Sequence, residues 1–182
     1  MDFWQLISGS LSDPFNVEQA SSRLESTLKT MPESEVLEFC AEFDRRMDES
    51  YSWELWGVAY LINGGCSDDS FMDFRGSLIA SGKSIFEAAI SNPESLMALD
   101  KAHLSEMFEE GFVYSGPSAY EALTGEQPVT SVNRRPEPTG LQWEETAESL
   151  EQHFPNVWKI YGWEESEVNA TPSLKRPWWK FW

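Results

Sequence analysis

Apolar side chains recur at helical spacing over most of the first 125 positions, without the strict alternation that marks half-buried strands. Val17, Ala20, Leu24, Leu28 and Met31 form one stripe, and Val36, Phe39, Cys40, Phe43 and Met47 form a second. Residues three and four apart share a helix face, so each stripe predicts one buried surface. The intervening TMPES predicts a turn between two antiparallel helices, with Pro32 and Glu33 suited to a helix first turn. A third helix is predicted from about Trp53 to Ile62. It stops at Asn63-Gly64-Gly65, where glycine takes the left-handed conformation of a helix C-cap at little cost. A fourth buries Phe71, Phe74, Leu78 and Ile79, and Gly82 ends or kinks it ahead of the short amphipathic KSIFEAAIS.

Beyond Pro93 the pattern thins. PESLMALDKAHLSEMFEE predicts two short helices, and GPSAYEALTGE one more, starting at Pro117 and stopped by Gly125. GFVYSG reads as a short extended piece. Residues 127–142 hold three prolines and a glycine and predict a loop wrapped over the surface. In WEETAESLEQHFPNVWKIYGW the apolar positions are Trp143, Leu150, Phe154, Val157, Trp158 and Tyr161, with Pro155 bending or dividing the helix. The expected fold is all-α, a compact multi-helix domain with seven to nine helices around an aromatic-rich core. Its parts are a core domain (1–126), a Pro-rich connecting loop (127–142), a C-terminal helical segment packed on the core (143–163) and a tail (164–182).

Composition adds charge to this picture. With 182 residues, 41% of them apolar and 14% aromatic, the chain can bury a core of its own. Its net charge is −18, from 31 acidic against 13 basic residues. Binding to a phosphate backbone rests on Lys and Arg displacing counterions, so direct nucleic-acid binding is not expected and a basic protein is the expected partner. Nothing in the pattern sets an oligomeric state. The last stretch, PSLKRPWWKFW, reverses the sign, with three basic residues and no acid. Trp178, Trp179 and Trp182 there are candidate binding residues, for docking on the acidic body, on a partner, or at a lipid interface. The stretch is too short to span a bilayer. Cys40 and Cys66 lack a secreted-type framework, and MDFWQLISGS has neither a basic n-region nor a long apolar run, so reduced thiols and a cytoplasmic location are expected.

The densest chemistry lies in GGCSDD. Cys66, near a predicted helix N-terminus, is a candidate nucleophile because the helix dipole favours a thiolate, whereas Asp68 and Asp69 oppose one. Those three residues with Arg75 make the candidate catalytic corner: Cys66, Asp68, Asp69 and Arg75. The structural alternative explains the same letters, with Gly64 and Gly65 closing one helix and Ser67 or Asp68 capping the next. Arg75 is then the ion-pair partner of the aspartates. A metal reading recruits Asp68, Asp69 and Asp73 but lacks calcium-loop spacing, so no metal is expected. His103 and His153 fall in no known catalytic spacing, although a Cys66 with His103 pair is conceivable. No glycine-rich phosphate loop occurs and no cofactor is expected. Trp53, Trp56 and Tyr60 share a helix face and are candidate binding residues, lining an aromatic groove unless they are core. Arg45 and Arg46, among Asp44, Asp48 and Glu49, describe a solvated face with local ion pairs.

The run from Trp53 to Gly82, WELWGVAYLINGGCSDDSFMDFRGSLIASG, resembles the signature of a largely bacterial family catalogued as domain of unknown function 4240. The matching positions are Trp53, Trp56, Gly57, Tyr60, Asn63, Gly64, Gly65, Cys66, Asp68, Asp69, Phe71, Phe74 and Arg75. Flanking segments at Phe3–Ile7, AYEALTGE and FPNVWKIYG are also similar, while KRPWWKFW lies outside the pattern. The resemblance implies a mostly helical cytoplasmic domain and brings no catalytic residue with it. Together these readings favour a non-catalytic, acidic interaction or regulatory protein, acting on a basic partner as an inhibitor or nucleic-acid mimic. The alternatives are an enzyme using the Cys66 corner, or membrane contact through the tail.

Overall fold

Capping decides where most of the helices begin. In the computed structural model, which describes residues 1–163, Asp2, Asn16, Ser52, Ser67, Asp100 and Thr146 each accept a backbone N–H three residues on. Each satisfies a donor that the first helical turn leaves without a partner. The helices are α1 (Phe3–Ser10), α2 (Val17–Leu28), α3 (Glu33–Glu49), α4 (Trp53–Asn63), α5 (Asp68–Ala80), α6 (Lys83–Ser91), α7 (Lys101–Glu106), α8 (Ser115–Thr124), α9 (Ala147–His153) and α10 (Pro155–Tyr161). Short 3-10 segments at Pro93–Ala98 and Phe112–Tyr114 complete the set. Among the described residues there is no strand, and the fold is all-α. The ten α-helices among the described residues exceed the expected seven to nine, because Phe3–Ser10 forms a helix and Pro155 divides the last stretch in two.

α5 runs through the middle, touching α1, α2, α3, α4 and α6. Phe71, Phe74, Leu78, Ile79 and Ala80 are fully buried on it, and Gly76 lets Val113 lie against its backbone. The stripes on α2 and α3 are buried as expected except for Met31, which lies past the end of α2 and is half-buried, but the two helices do not form the expected direct pair. α8 lies between them and packs on both. Its small residues make this possible: a Cβ on Gly116 would sit 3.0 Å from Cys40 Sγ, and the Ser115 hydroxyl lies 2.8 Å from that of Ser21. GFVYSG is not extended. Gly111, at φ 127°, turns the chain into a 3-10 segment that buries Phe112.

Residues 127–142 form a strap over α3 and the start of α4. Thr139 exchanges backbone hydrogen bonds with the Tyr51–Trp53 segment at 2.9 and 3.0 Å. The chain then returns through Trp143 into α9 and α10, and α10 packs on α4. Gly57 of α4 accepts this contact: a Cβ there would run into the Phe154 ring and lie 2.8 Å from Trp143 Nε1. No helix among the described residues is long and apolar enough to cross a membrane. The tail, residues 164–182, lies outside the described residues.

Candidate functional site

The turn from α4 to α5 is built almost entirely from its own residues. Gly64 caps α4 in the left-handed conformation (φ 68°), and the Gly65 N–H returns 2.8 Å to the Tyr60 carbonyl. Ser67 caps α5, accepting the Ser70 N–H at 3.2 Å, and places Asp68 and Asp69 in the first turn, where they complement the helix dipole. Trp56 fixes the turn from beneath. Its indole stacks between Trp53 (5.3 Å between ring centres) and Phe71 (4.7 Å), and its N–H donates 2.9 Å to the Cys66 carbonyl.

The candidate residues do not converge on one reactive centre. Cys66 is 7% exposed, and burial pushes its thiol up to about 12, with Asp68 acting in the same direction. A thiolate there is strongly disfavoured near neutral pH. Arg75 does not pair with Asp68 or Asp69, contrary to the sequence expectation. Its Nη1 donates 2.8 Å to the Met47 carbonyl at the end of α3 and its Nε donates 3.3 Å to the Phe71 carbonyl. The guanidinium also faces the Tyr51 ring at 4.7 Å and the Phe71 ring at 4.9 Å. Helix geometry explains the difference: Asp68 lies on the same side of α5 as Arg75 but two turns away, roughly 10 Å along the axis. Arg75 therefore compensates the negative C-terminal end of α3 instead. Burial brings its pKa down to about 10.

His103 is far from Cys66. It bonds Ser81 (Nε2 to Oγ, 2.9 Å) and stacks on Phe15, whereas Cys66 and Ser81 flank opposite ends of α5, roughly 20 Å apart. His153 is exposed and caps its own helix. Among the described residues no group of three or more His, Cys, Asp or Glu is placed to hold a metal ion. The Trp53, Trp56 and Tyr60 face is covered by the chain itself. Trp143 packs 5.0 Å from Tyr60, and its N–H donates 2.8 Å to the Trp53 carbonyl. Trp163 closes the far side at 6.3 Å from Tyr60, whose hydroxyl burial pushes up to about 12. Trp178, Trp179 and Trp182 fall outside the described residues.

What the turn does present is a ridge of carboxylates. Asp68 and Asp69 are exposed, Asp73 follows one turn later, and Glu110 and Glu137 approach from neighbouring loops. Asp73 Oδ1 is buried and has no hydrogen-bond partner among the described residues. Burial, followed by Glu110 and Asp69, pushes its carboxyl up to about 6. Asp68 is also raised, by burial and then by Asp69. None of these five acids takes part in an ion pair among the described residues, although Arg45, Arg46, Arg134 and Arg135 each pair with an acid elsewhere.

Sequence reasoning missed a second feature. Arg45 and Arg46 do pair locally, with Glu42 and Glu49, but Asp44 and Asp48 face the strap. Asp44 accepts from Arg134 and Thr130, and Asp48 accepts from Arg135 Nε at 2.9 Å and from the Arg135 N–H at 2.7 Å. The signal was present: adjacent arginines in a proline-rich loop, and acids spaced i, i+4 on a helix. Beneath the strap lies a cleft of about 320 Å³ between α3, α5 and the 112–117 segment.

No curated protein and no solved structure matches this sequence. A family model does match, over residues 1–122, so that it takes in α1 to α7 and most of α8 but neither the strap nor α9 and α10. The chain belongs to the family described as protein of unknown function DUF4240.

Proposed function

We propose that this is a cytoplasmic, non-catalytic interaction protein whose acidic ridge receives a basic face of a partner protein. The observation that carries the reading is the set of carboxylates that no cation pairs among the described residues, Asp68, Asp69, Asp73, Glu110 and Glu137, on a chain of net charge −18. Carboxylates held this way repel one another, and a Lys or Arg arriving between them relieves that repulsion while steering the encounter. The buried Cys66 thiol and the engagement of Arg75 with backbone carbonyls also favour binding over chemistry at this corner. A basic enzyme that itself recognises nucleic acid fits the ridge as a class of partner, and this protein would then inhibit it by occupying the phosphate-binding face.

The test is capture from lysate by the tagged full chain at low and moderate salt, beside a chain carrying Asp68→Asn, Asp69→Asn and Asp73→Asn. The expected result is a basic protein retained at low salt, released at moderate salt and lost with the triple substitution. Retention should also weaken as pH falls through about 6, where Asp73 takes up its proton. Retention that ignores both salt and the substitutions overturns the reading.

A further inference from the structure

The cleft under the strap stands apart from the ridge and has different chemistry. Its floor is apolar and adaptable: Phe39, Phe43 and Met47 of α3, Met72 of α5, and Phe112. Methionine side chains bend to irregular shapes, and aromatic faces accept flat ligands. The Cys40 thiol also lines the cleft, and burial with Asp44 pushes it up to about 11. At about 320 Å³ the volume falls in the range of small-molecule sites and equals roughly ten liquid waters.

The walls restrict the ligand further. Asp44 is the acidic side chain of the lining and Arg134 the basic one, and they pair with each other. Thr130 donates to the same Asp44 carboxylate. The local charge is therefore already balanced, and a charged ligand would have to break this pair. Gln127 and Tyr114 also line the cleft and bring polar groups to it, the Gln127 amide donating 2.7 Å to Glu121. The roof is part of the strap, tied down through ion pairs rather than a packed core, with the Arg134 side chain 66% exposed and its Asp44 partner 13%. Such pairs contribute little stability each, so the roof can lift without unfolding the body.

We propose that the cleft between α3, Met72 and the strap binds a small, uncharged, largely apolar molecule of one or two rings. This site is independent of the acidic ridge. The uncharged dye N-phenyl-1-naphthylamine is a suitable probe, because its fluorescence rises in apolar surroundings. Titrated against the full chain, it should show saturable one-to-one binding. Met72→Trp, which fills the cleft from a partly buried position, should weaken that binding at least tenfold with far-UV circular dichroism unchanged. A second measurement uses the unmodified protein: saturating dye should slow alkylation of Cys40 severalfold and leave Cys66, outside the cleft, unaffected. Absence of saturable binding overturns the proposal, as does binding that neither Met72→Trp nor Cys40 protection registers. Binding that appears only after Trp178, Trp179 and Trp182 are replaced by Ala would assign the cleft to the chain's own tail, and overturn it too.

Discussion

The α4–α5 corner and the strap are both irregular backbone lying against the same helices. The corner is closed by residues near one another in sequence: the Gly64 cap, the Ser67 cap, and Trp56 reaching Cys66 only ten residues on. The strap is tied by side chains whose partners lie 86 to 90 residues back, Thr130 and Arg134 on Asp44, Arg135 on Asp48 and Trp143 on Trp53. Buried aromatic surface holds the first, and ion pairs between exposed arginines and half-buried aspartates hold most of the second. Stability at the corner should therefore resist salt, whereas the strap should loosen as salt screens its pairs.

The largest effect is expected at Trp56. Replacing it with Ala removes a stacked, 9%-exposed indole and leaves the Cys66 carbonyl without its donor, at a cost of about 3–5 kcal/mol in denaturant unfolding. Trp56→Phe keeps a ring and loses the hydrogen bond, and should cost about 1–2 kcal/mol. A corner that tolerated Trp56→Ala would not be built as described. Next comes Gly57→Ala, expected to cost about 1–3 kcal/mol by driving a methyl group into Phe154 and Trp143. That glycine lies in the matched family region, yet it serves a segment beyond residue 122. Its substitution should release α9 and α10, seen as faster amide exchange over 143–161, while α2 and α3 stay protected.

How legible each part was follows from the same contrast. The stripes of α2 and α3, the glycine stop after α4 and a cap at Ser67 or Asp68 are local codes, readable from residue spacing, and the structure selects Ser67. The position of α8 between α2 and α3 was not, because it depends on Gly116 meeting Cys40 and Phe39 across the core. GFVYSG looked extended since its letters favour strands, but burying Phe112 outweighed that preference. Arg75 was assigned to the nearest acids, yet its acceptor is a backbone carbonyl on another helix, which side-chain spacing cannot reveal. The acids of the corner were named from sequence. The convergence of Glu110 and Glu137 on them, and the cleft under the strap, needed the third dimension.

Asp44→Ala acts on the strap directly. It removes the acceptor shared by half-buried Thr130 and exposed Arg134, so the expected stability loss is about 1 kcal/mol. The structural consequence should be larger than the energy suggests. Amides of residues 128–135 should exchange faster, and the difference from the unaltered chain should shrink as salt is raised. Equal exchange in the two proteins at low salt would mean that packing, rather than charge, holds the strap.

Asp73→Asn probes the opposite case, a carboxylate that the fold tolerates instead of using. Its folded carboxyl titrates at about 6 against an ordinary value of 3.8, so between those values the folded state holds a proton that the unfolded chain has released. Folding stability contributed by this group must then fall as pH rises from about 4 to about 6 and stay level above it. Asparagine carries no such charge. The substitution should be neutral below pH 4 and stabilising by about 1 kcal/mol at pH 7, the partial exposure of the site screening the rest. Chemical denaturation at the two pH values measures this difference directly. A gain confined to pH 7 identifies Asp73 as a residue kept at a cost to stability. If the same substitution also weakens capture of the basic partner, the cost and the binding arise from one cause, the crowding of charge against Asp69 and Glu110.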